Sequence, residues 1–133
     1  MHPYAKQISE IGARANPTFM TLGIEPVSWG NESAVLKMNI TERLHNGSGF
    51  LQGGFYVILA DEAIALAVLS ELSENEGTTT ITETTEFIRG VKEGEIYASA
   101  KIYERVGELF LRRLRFVREV LRVSFFRRLL HHI

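Results

Sequence analysis

Hydrophobic and polar positions alternate along several short segments of this chain, and one long apolar run separates the first of these segments from the rest. The segments LGIEPVSWG and ESAVLKMNIT each show strand-like composition, and Gly30-Asn31 between them is a turn signal. Alternation with a period of two is typical of a strand with one buried face. The pattern therefore predicts a β-hairpin near the start of the chain.

Two segments have helical spacing instead. Ile8, Ile11 and Ala15 indicate a short amphipathic helix over about residues 3–16, with Pro3 at its first position. The second helix is predicted over about residues 54–72, where apolar side chains occupy nearly the whole circumference. A helix of that kind must be buried on most of its sides.

Strand-like composition returns after this helix. The segments TTTITETTEFI and EIYASAKIYERV are rich in Thr, Ile, Tyr and Val, and they are joined through Gly90 and Gly94, as two paired antiparallel strands would be. The tail, residues 109–133, fits either a helix or two strands around Glu119; the alternation of apolar and polar residues favours strands. The whole chain, residues 1–133, is then one α+β domain, in which an antiparallel sheet accompanies a central helix.

Composition limits the possible functions. Before residue 107 the chain has 14 acidic and 8 basic residues, net −6, and from residue 107 onward it has 2 acidic and 7 basic residues, net +5. We expect the arginines of the tail to form a basic sheet face or a phosphate-binding rim, and we expect no nucleic-acid partner. The absence of cysteine excludes thiol nucleophiles and thiolate metal sites.

No stretch of the chain has the length of a membrane span or the pattern of a signal peptide, because Asp61 and Glu62 interrupt the longest apolar run. The expectation is a cytoplasmic protein without a membrane partner. The four histidines lack the spacing of metal ligands, so we expect neither a metal nor a cofactor: His2, His45, His131 and His132.

Asp61 is the only aspartate, and it lies within the apolar segment GGFYVILADEAIALAVL. A carboxylate on an apolar helix face is costly unless it is paired or used. Two explanations fit: a structural ion pair with an arginine, or a catalytic acid or base. Glu62 is the other candidate for a catalytic carboxylate on this helix. A rotation of about 100° per residue prevents both acids from facing one pocket equally.

The segment preceding the helix, HNGSGFLQGG, is rich in glycine. Its Gly47-Ser48-Gly49 lacks the spacing of a serine nucleophile elbow, and the chain has no dinucleotide or phosphate-loop fingerprint. Asn46 before a glycine is a common turn pair, and its amide could equally hold a water or a carbonyl group.

Residues 45–67, HNGSGFLQGGFYVILADEAIALA, resemble the hotdog-fold acyl-CoA thioesterases of the phenylacetate-pathway type. Those enzymes share an Asn, a glycine-containing loop, a His-Gly-Gly and a Leu-x-Asp on the central helix, and here the spacing from Asn46 through Gly53 and Gly54 to Asp61 is kept. The order of elements agrees from about residue 5 to 106. Gln52 stands where such enzymes often have histidine, which removes an acid/base group but keeps a hydrogen-bonding amide.

The resemblance implies a hotdog fold, a sheet curled round one long helix, and edge-to-edge pairing of two chains with active sites at their interface. It also implies hydrolysis of an acyl-CoA substrate with a short-chain or aryl acyl group. One chain would supply Asn46 and the N–H of Gly53 as the oxyanion donor, and the other would supply Asp61 as general base or nucleophile. Gln52, Gly54, Thr80 and Arg89 would contact substrate, with Arg89 assigned to the phosphates of coenzyme A by charge alone.

The alternative is a hotdog protein that binds acyl-CoA or another apolar ligand without turnover. Asp61 distinguishes the two, because a binding pocket gains nothing from a carboxylate beside a thioester. Two questions stay open at the level of sequence: whether Asp61 acts as base or nucleophile, and whether dimers pair further into tetramers.

Overall fold

A computed structural model gives the backbone of most of the chain and the side chains of its first half and of a short later segment. The backbone is described for residues 2–74, 76–87, 91–106, 109–116 and 121–131, and the side chains for residues 2–74 and 91–102.

Three α-helices, two 3₁₀ turns and six strands make up the described fold. The helices are α1 (Pro3–Ile11), α2 (Pro17–Leu22) and α3 (Gly53–Leu69), and the 3₁₀ turns are Gly12–Ala15 and Glu42–Leu44. The strands are β1 (Ile24–Gly30), β2 (Ser33–Ile40), β3 (Glu76–Phe87), β4 (Gly94–Val106), β5 (Leu109–Phe116) and β6 (Leu121–His131).

The six strands form one antiparallel sheet in the order β1-β2-β4-β5-β6-β3. The predicted hairpin of β1 and β2 is confirmed, and so is the strand interpretation of the tail, which supplies β5 and β6. The expected pairing of the two strands joined through Gly90 and Gly94 is wrong: β3 pairs with β6, while β4 lies between β2 and β5. Before β4, Val91 contacts the glycine-rich loop, where the N–H of Leu51 donates to the carbonyl of Val91 at 2.8 Å.

The predicted helix over residues 3–16 is shorter in the structure. Gly12, with φ of 61°, ends α1, and a 3₁₀ turn follows. Ile8 is buried at 1% exposure as expected, whereas Ile11 is 42% exposed and does not join the core. The positive φ of Gly12, which glycine adopts without a steric penalty, redirects the chain before the helical spacing can continue.

The core lies between α3 and the concave face of the sheet, mainly β2 and β4. The alternation predicted for β2 is confirmed, since Ala34, Leu36 and Met38 are all fully buried. The central helix is buried on most sides through Tyr56, Leu59, Ala60, Ala63, Ile64, Leu66, Ala67 and Val68. Burial of Tyr56 raises the pKa of its phenol.

The edge strand β1 is irregular. Its register with β2 shifts between Pro26 and Ser28, and Val27 at this bulge is 49% exposed. Proline has no N–H to donate, and a bulge twists a strand away from any further partner. The opposite edge of the sheet is β3, which pairs with β6 from Glu76 to Phe87.

The turn of the first hairpin places two residues other than glycine at positive φ, 52° for Asn31 and 62° for Glu32. Such turns favour Asn-Gly, because glycine adopts positive φ without a steric penalty. We expect Glu32→Gly to raise the free energy of unfolding by about 0.5–1 kcal/mol, measured by urea denaturation.

Both hydrogen bonds of Glu32 use its backbone and survive the change: its N–H donates to Glu71 Oε1 at 2.7 Å, and its carbonyl accepts from the N–H of Ile102 at 2.8 Å. Glu32→Ala removes the same side chain but keeps the strained conformation, so it should bring no gain. Equal effects of the two substitutions would show that the backbone angle is not the cause.

Candidate active site

Asn46 organises the glycine-rich loop. Its Oδ1 accepts hydrogen bonds from the N–H groups of Ser48 at 2.9 Å and Phe50 at 3.1 Å, and its own N–H donates to the carbonyl of Phe50 at 2.6 Å. The turn interpretation of this residue is thus correct for its oxygen. Within the described residues no hydrogen bond is formed by Nδ2, so the amide is oriented by its oxygen and keeps its donor group for another molecule.

The loop is fixed at its base to the segment that precedes β4. Besides the bond from Leu51 to Val91, the Nε2 atom of His45 lies 2.8 Å from the carbonyl oxygen of Lys92. The Lys92 ammonium lies 4.8 Å from the centroid of the Phe50 ring, within cation–π range. Two hydrogen bonds to backbone carbonyls and one cation–π contact therefore hold the loop that leads to α3.

The start of α3 offers unused N–H donors. Gln52 is the N-cap residue, in an extended conformation with φ −61° and ψ 132°, and its side chain makes no capping bond. Its carbonyl accepts from the N–H of Phe55 at 3.0 Å, whereas no hydrogen bond within the described part of the chain is donated by Gly53 or Gly54. These donors carry the positive end of the helix dipole and suit an oxyanion.

Space at this position suits a substrate. A Cβ atom added to Gly54 would meet no atom within 4 Å, and Gly54 and Gln52 are exposed while Gly53 is half-buried. Gln52, Gly53 and Gly54 thus lie together at the start of α3, and Asn46 holds the loop that leads to them.

Asp61 is half-buried on α3 and lies eight residues beyond Gly53. At a rise of about 1.5 Å per residue, this spacing separates the two positions by about 12 Å along the helix axis. A base that activates water for attack on a carbonyl must act within about two hydrogen-bond lengths of it. The backbone of Asp61 therefore lies about two helical turns from the donors at the start of α3.

The neighbouring acid, Glu62, takes part in a contact with the N-terminal helices. Its Oε2 accepts from Asn16 Nδ2 at 3.0 Å, and the same Nδ2 donates to the hydroxyl of Tyr4 at 2.9 Å. Asn16 also caps α2, through a bond from the N–H of Thr18 to Oδ1 at 2.9 Å. Burial, together with the negative charge of Glu62, raises the pKa of Tyr4 to about 12, although the bond from Asn16 opposes the shift. Glu62 thus has a structural role, in joining α3 to the N-terminal helices.

Sequence reasoning missed the network of Tyr4, Asn16 and Glu62. An asparagine directly before a proline is a recognisable helix start, so the sequence could have identified Asn16 as a cap. The sequence could not have shown its bond to Glu62, which lies 46 positions away.

The side chains of two predicted substrate contacts, Thr80 and Arg89, lie outside the described part of the structure. Thr80 lies in β3 opposite Arg127 in register, but its side chain is outside the described part. Arg89 lies outside the described residues altogether.

Neither a metal cluster nor a membrane span is found in what the structure describes. No group of three His, Asp or Glu side chains there could hold a metal ion, and no helix there is long and apolar enough to cross a bilayer.

Comparison with known proteins gives similar sequences and similar folds. The 1,4-dihydroxy-2-naphthoyl-CoA hydrolase of Listeria monocytogenes is 36% identical over 56 residues, which are 42% of this chain and 46% of that protein. The match thus spans about half the length of that relative.

Two solved structures illustrate the likeness in fold. A mutant thioesterase from Pseudomonas aeruginosa superposes with a TM-score of 0.84 at 18% identity, over 98% of this chain and 96% of that one. A putative thioesterase from Ralstonia eutropha, described as a phenylacetic acid degradation-related protein, superposes with a TM-score of 0.82 at 17% identity, over 94% of this chain and 98% of that one. Identities this low establish the fold alone, which is the predicted hotdog fold.

The family model of the Thioesterase superfamily matches residues 48–126, which include the glycine-rich helix start, Asp61, the whole of β3, β4 and β5, and part of β6. That span is more than half of the chain, and it contains all but the first three residues of the segment on which the resemblance to hotdog thioesterases was based. The chain therefore belongs to the Thioesterase superfamily.

Proposed function

We propose that this protein hydrolyses acyl-CoA thioesters to a free acid and coenzyme A. One observation carries the proposal: a helix start with two unused glycine N–H donors is combined, on the same helix, with a half-buried aspartate in an otherwise apolar sequence. Thioester hydrolysis needs both a donor for the developing oxyanion and a group that activates water or attacks the carbonyl. Membership of the Thioesterase superfamily supports the same reaction.

In the proposed reaction the thioester carbonyl oxygen accepts a hydrogen bond from the N–H of Gly53, and Gly54 leaves room for the acyl group. Asp61 takes a proton from water, the water oxygen bonds to the carbonyl carbon, and the C–S bond then breaks. The proton passes to the departing thiolate. Direct attack by Asp61, through an anhydride that water hydrolyses, is the second route with the same balance of atoms.

The remaining site residues have positioning roles in this proposal. Asn46 Nδ2 donates to the attacking water or to the carbonyl, because Oδ1 is already occupied by the loop. The Gln52 amide and Thr80 contact the substrate, and Arg89 meets the phosphates of coenzyme A. The acyl group is short or aromatic.

The separation of about 12 Å along α3 supports a site whose two halves come from two chains. We propose a homodimer, or a tetramer built from such dimers, in which Gly53 of one chain faces Asp61 of the other. Pairing through β3 fits this arrangement, since the β1 edge is interrupted at Pro26.

The test is thiol release from short, medium and aryl acyl-CoA thioesters in the presence of the purified protein, with its oligomeric state measured by light scattering. We expect turnover of at least one class by a dimer or tetramer. Binding of acyl-CoA without thiol release would overturn the hydrolase proposal and favour a ligand-binding protein. A monomer that turns over substrate would overturn the two-chain site.

A further inference from the structure

A cleft of about 210 Å³ opens beside the start of α3. It lies between the end of α2, the turn Glu42–Leu44 and the first turn of α3, and its lining residues are Thr21, Leu22, Thr41, Arg43, Leu44 and Phe55. None of these residues belongs to the catalytic group described above.

The walls of the cleft combine two kinds of chemistry. Leu22, Leu44 and Phe55 are buried or half-buried and give an apolar surface, whereas Thr21, Thr41 and Arg43 are exposed and give a polar rim. An apolar wall with a cationic rim suits a short hydrocarbon chain that ends in an anion.

Arg43 has no acidic partner within the described residues, where the one ion pair joins Lys37 to Glu25 on the sheet surface. A guanidinium group presents its donors in a planar fork that matches a carboxylate. The hydroxyl of Thr21 donates to the carbonyl of Pro17 at 3.0 Å and keeps its oxygen as an acceptor, and Thr41 adds a second hydroxyl.

The cleft adjoins the proposed oxyanion donor through backbone bonds. The carbonyl of Leu44 accepts from the N–H of Gln52 at 2.9 Å, and the carbonyl of Gln52 accepts from the N–H of Phe55 at 3.0 Å. Two lining residues are thus bonded directly to the residue that precedes Gly53. The cleft therefore lies next to the start of α3, where the proposed oxyanion donor is located.

We propose that the cleft receives the far end of the acyl group, and that the preferred substrates are half-thioesters of short dicarboxylic acids whose free carboxylate binds Arg43. This inference rests on the proposed thioesterase function and names its substrate class. A cavity of 150 Å³ holds benzene, so one of about 210 Å³ has room for about eight non-hydrogen atoms. The glutaryl group has eight non-hydrogen atoms, five carbons and three oxygens, so its far end fits within that space.

The experiment compares glutaryl-CoA with pentanoyl-CoA, which has the same chain length but ends in a methyl group. The ratio of the two kcat/KM values is measured for the wild type, Arg43→Gln and Arg14→Gln. Loss of a charge-assisted bond should lower this ratio by about 10- to 100-fold in Arg43→Gln, chiefly through the KM for glutaryl-CoA. Arg14, an exposed arginine outside the cleft, is the control for net charge, and its substitution should leave the ratio unchanged.

A second measurement does not depend on activity. Glutarate, added to ¹⁵N-labelled protein, should shift the backbone amide signals of Thr41, Arg43 and Phe55 in the wild type but not in Arg43→Gln. Glutaramide, its uncharged analogue, should shift neither. The inference is overturned if the wild type hydrolyses pentanoyl-CoA while the ratio is the same in Arg43→Gln, a result that leaves the proposed function intact. Absence of thiol release from every thioester would contradict the proposed function, and absence of glutarate shifts would then also overturn the cleft assignment.

Discussion

Asp61→Asn is expected to lower kcat for thioester hydrolysis by at least about 100-fold, because the amide neither accepts a proton from water nor attacks the carbonyl. The substitution keeps the size and shape of the side chain, so its effect on folding should be small. Initial rates of thiol release give the loss, and gel filtration checks that the oligomer is intact.

Glu62→Gln is the matched control, since it neutralises the next residue on the same helix. Its amide oxygen can still accept the bond from Asn16 Nδ2, so we expect the network with Tyr4 to persist and kcat to fall by less than about 10-fold. A larger loss for Glu62→Gln than for Asp61→Asn would transfer the catalytic role to Glu62.

Gly53→Pro should lower kcat by about 100- to 1000-fold by deleting a single N–H group, the proposed oxyanion donor. The first position of a helix tolerates proline well, and Gln52, with φ −61° and ψ 132°, already has the extended conformation that a residue before proline requires. The helix should therefore form normally, which circular dichroism and thermal unfolding can verify.

Gly53→Ala distinguishes loss of the N–H donor from steric crowding. Alanine adds a methyl group but keeps the N–H. We expect this variant to keep far more activity than Gly53→Pro. Equal losses would mean that crowding, rather than the missing donor, limits the reaction.

Mixing the two inactive variants tests the shared site. A heterodimer of Asp61→Asn and Gly53→Pro chains has one site with both changes and one with neither. Random exchange of subunits should thus restore about a quarter of the wild-type rate. A mixture as inactive as its parents, despite exchange, would contradict a site built from two chains.

The sequence was a good guide to elements whose periodicity is set by one buried face. The hairpin of β1 and β2, the burial of Leu36 and Met38 and the long helix all follow from local spacing. The pairing of β3 with β6 instead of β4 could not be predicted in this way, because alternation fixes which side of a strand is buried but not which strand lies beside it.

The candidate site could likewise be predicted only in part from the sequence. The glycines at the helix start and the single aspartate could be identified from residue type and spacing, and the resemblance gave them roles. The two functions of the Asn46 amide, one atom for the loop and one for a ligand, depend on the path of the loop and emerge only with coordinates. The contact of Asn16 with Glu62 joins segments far apart in the chain, so local spacing could not predict it.

The unequal edges of the sheet limit how many copies can join. A sheet with two open edges can add chains at both ends without limit, as in a growing fibril. Here Pro26 and the bulge interrupt one edge, so a chain that pairs through β3 leaves only two interrupted β1 edges at the ends of the joined sheet. Association by strand pairing would therefore stop at two chains, and the proline in β1 would oppose the growth of an open-ended sheet.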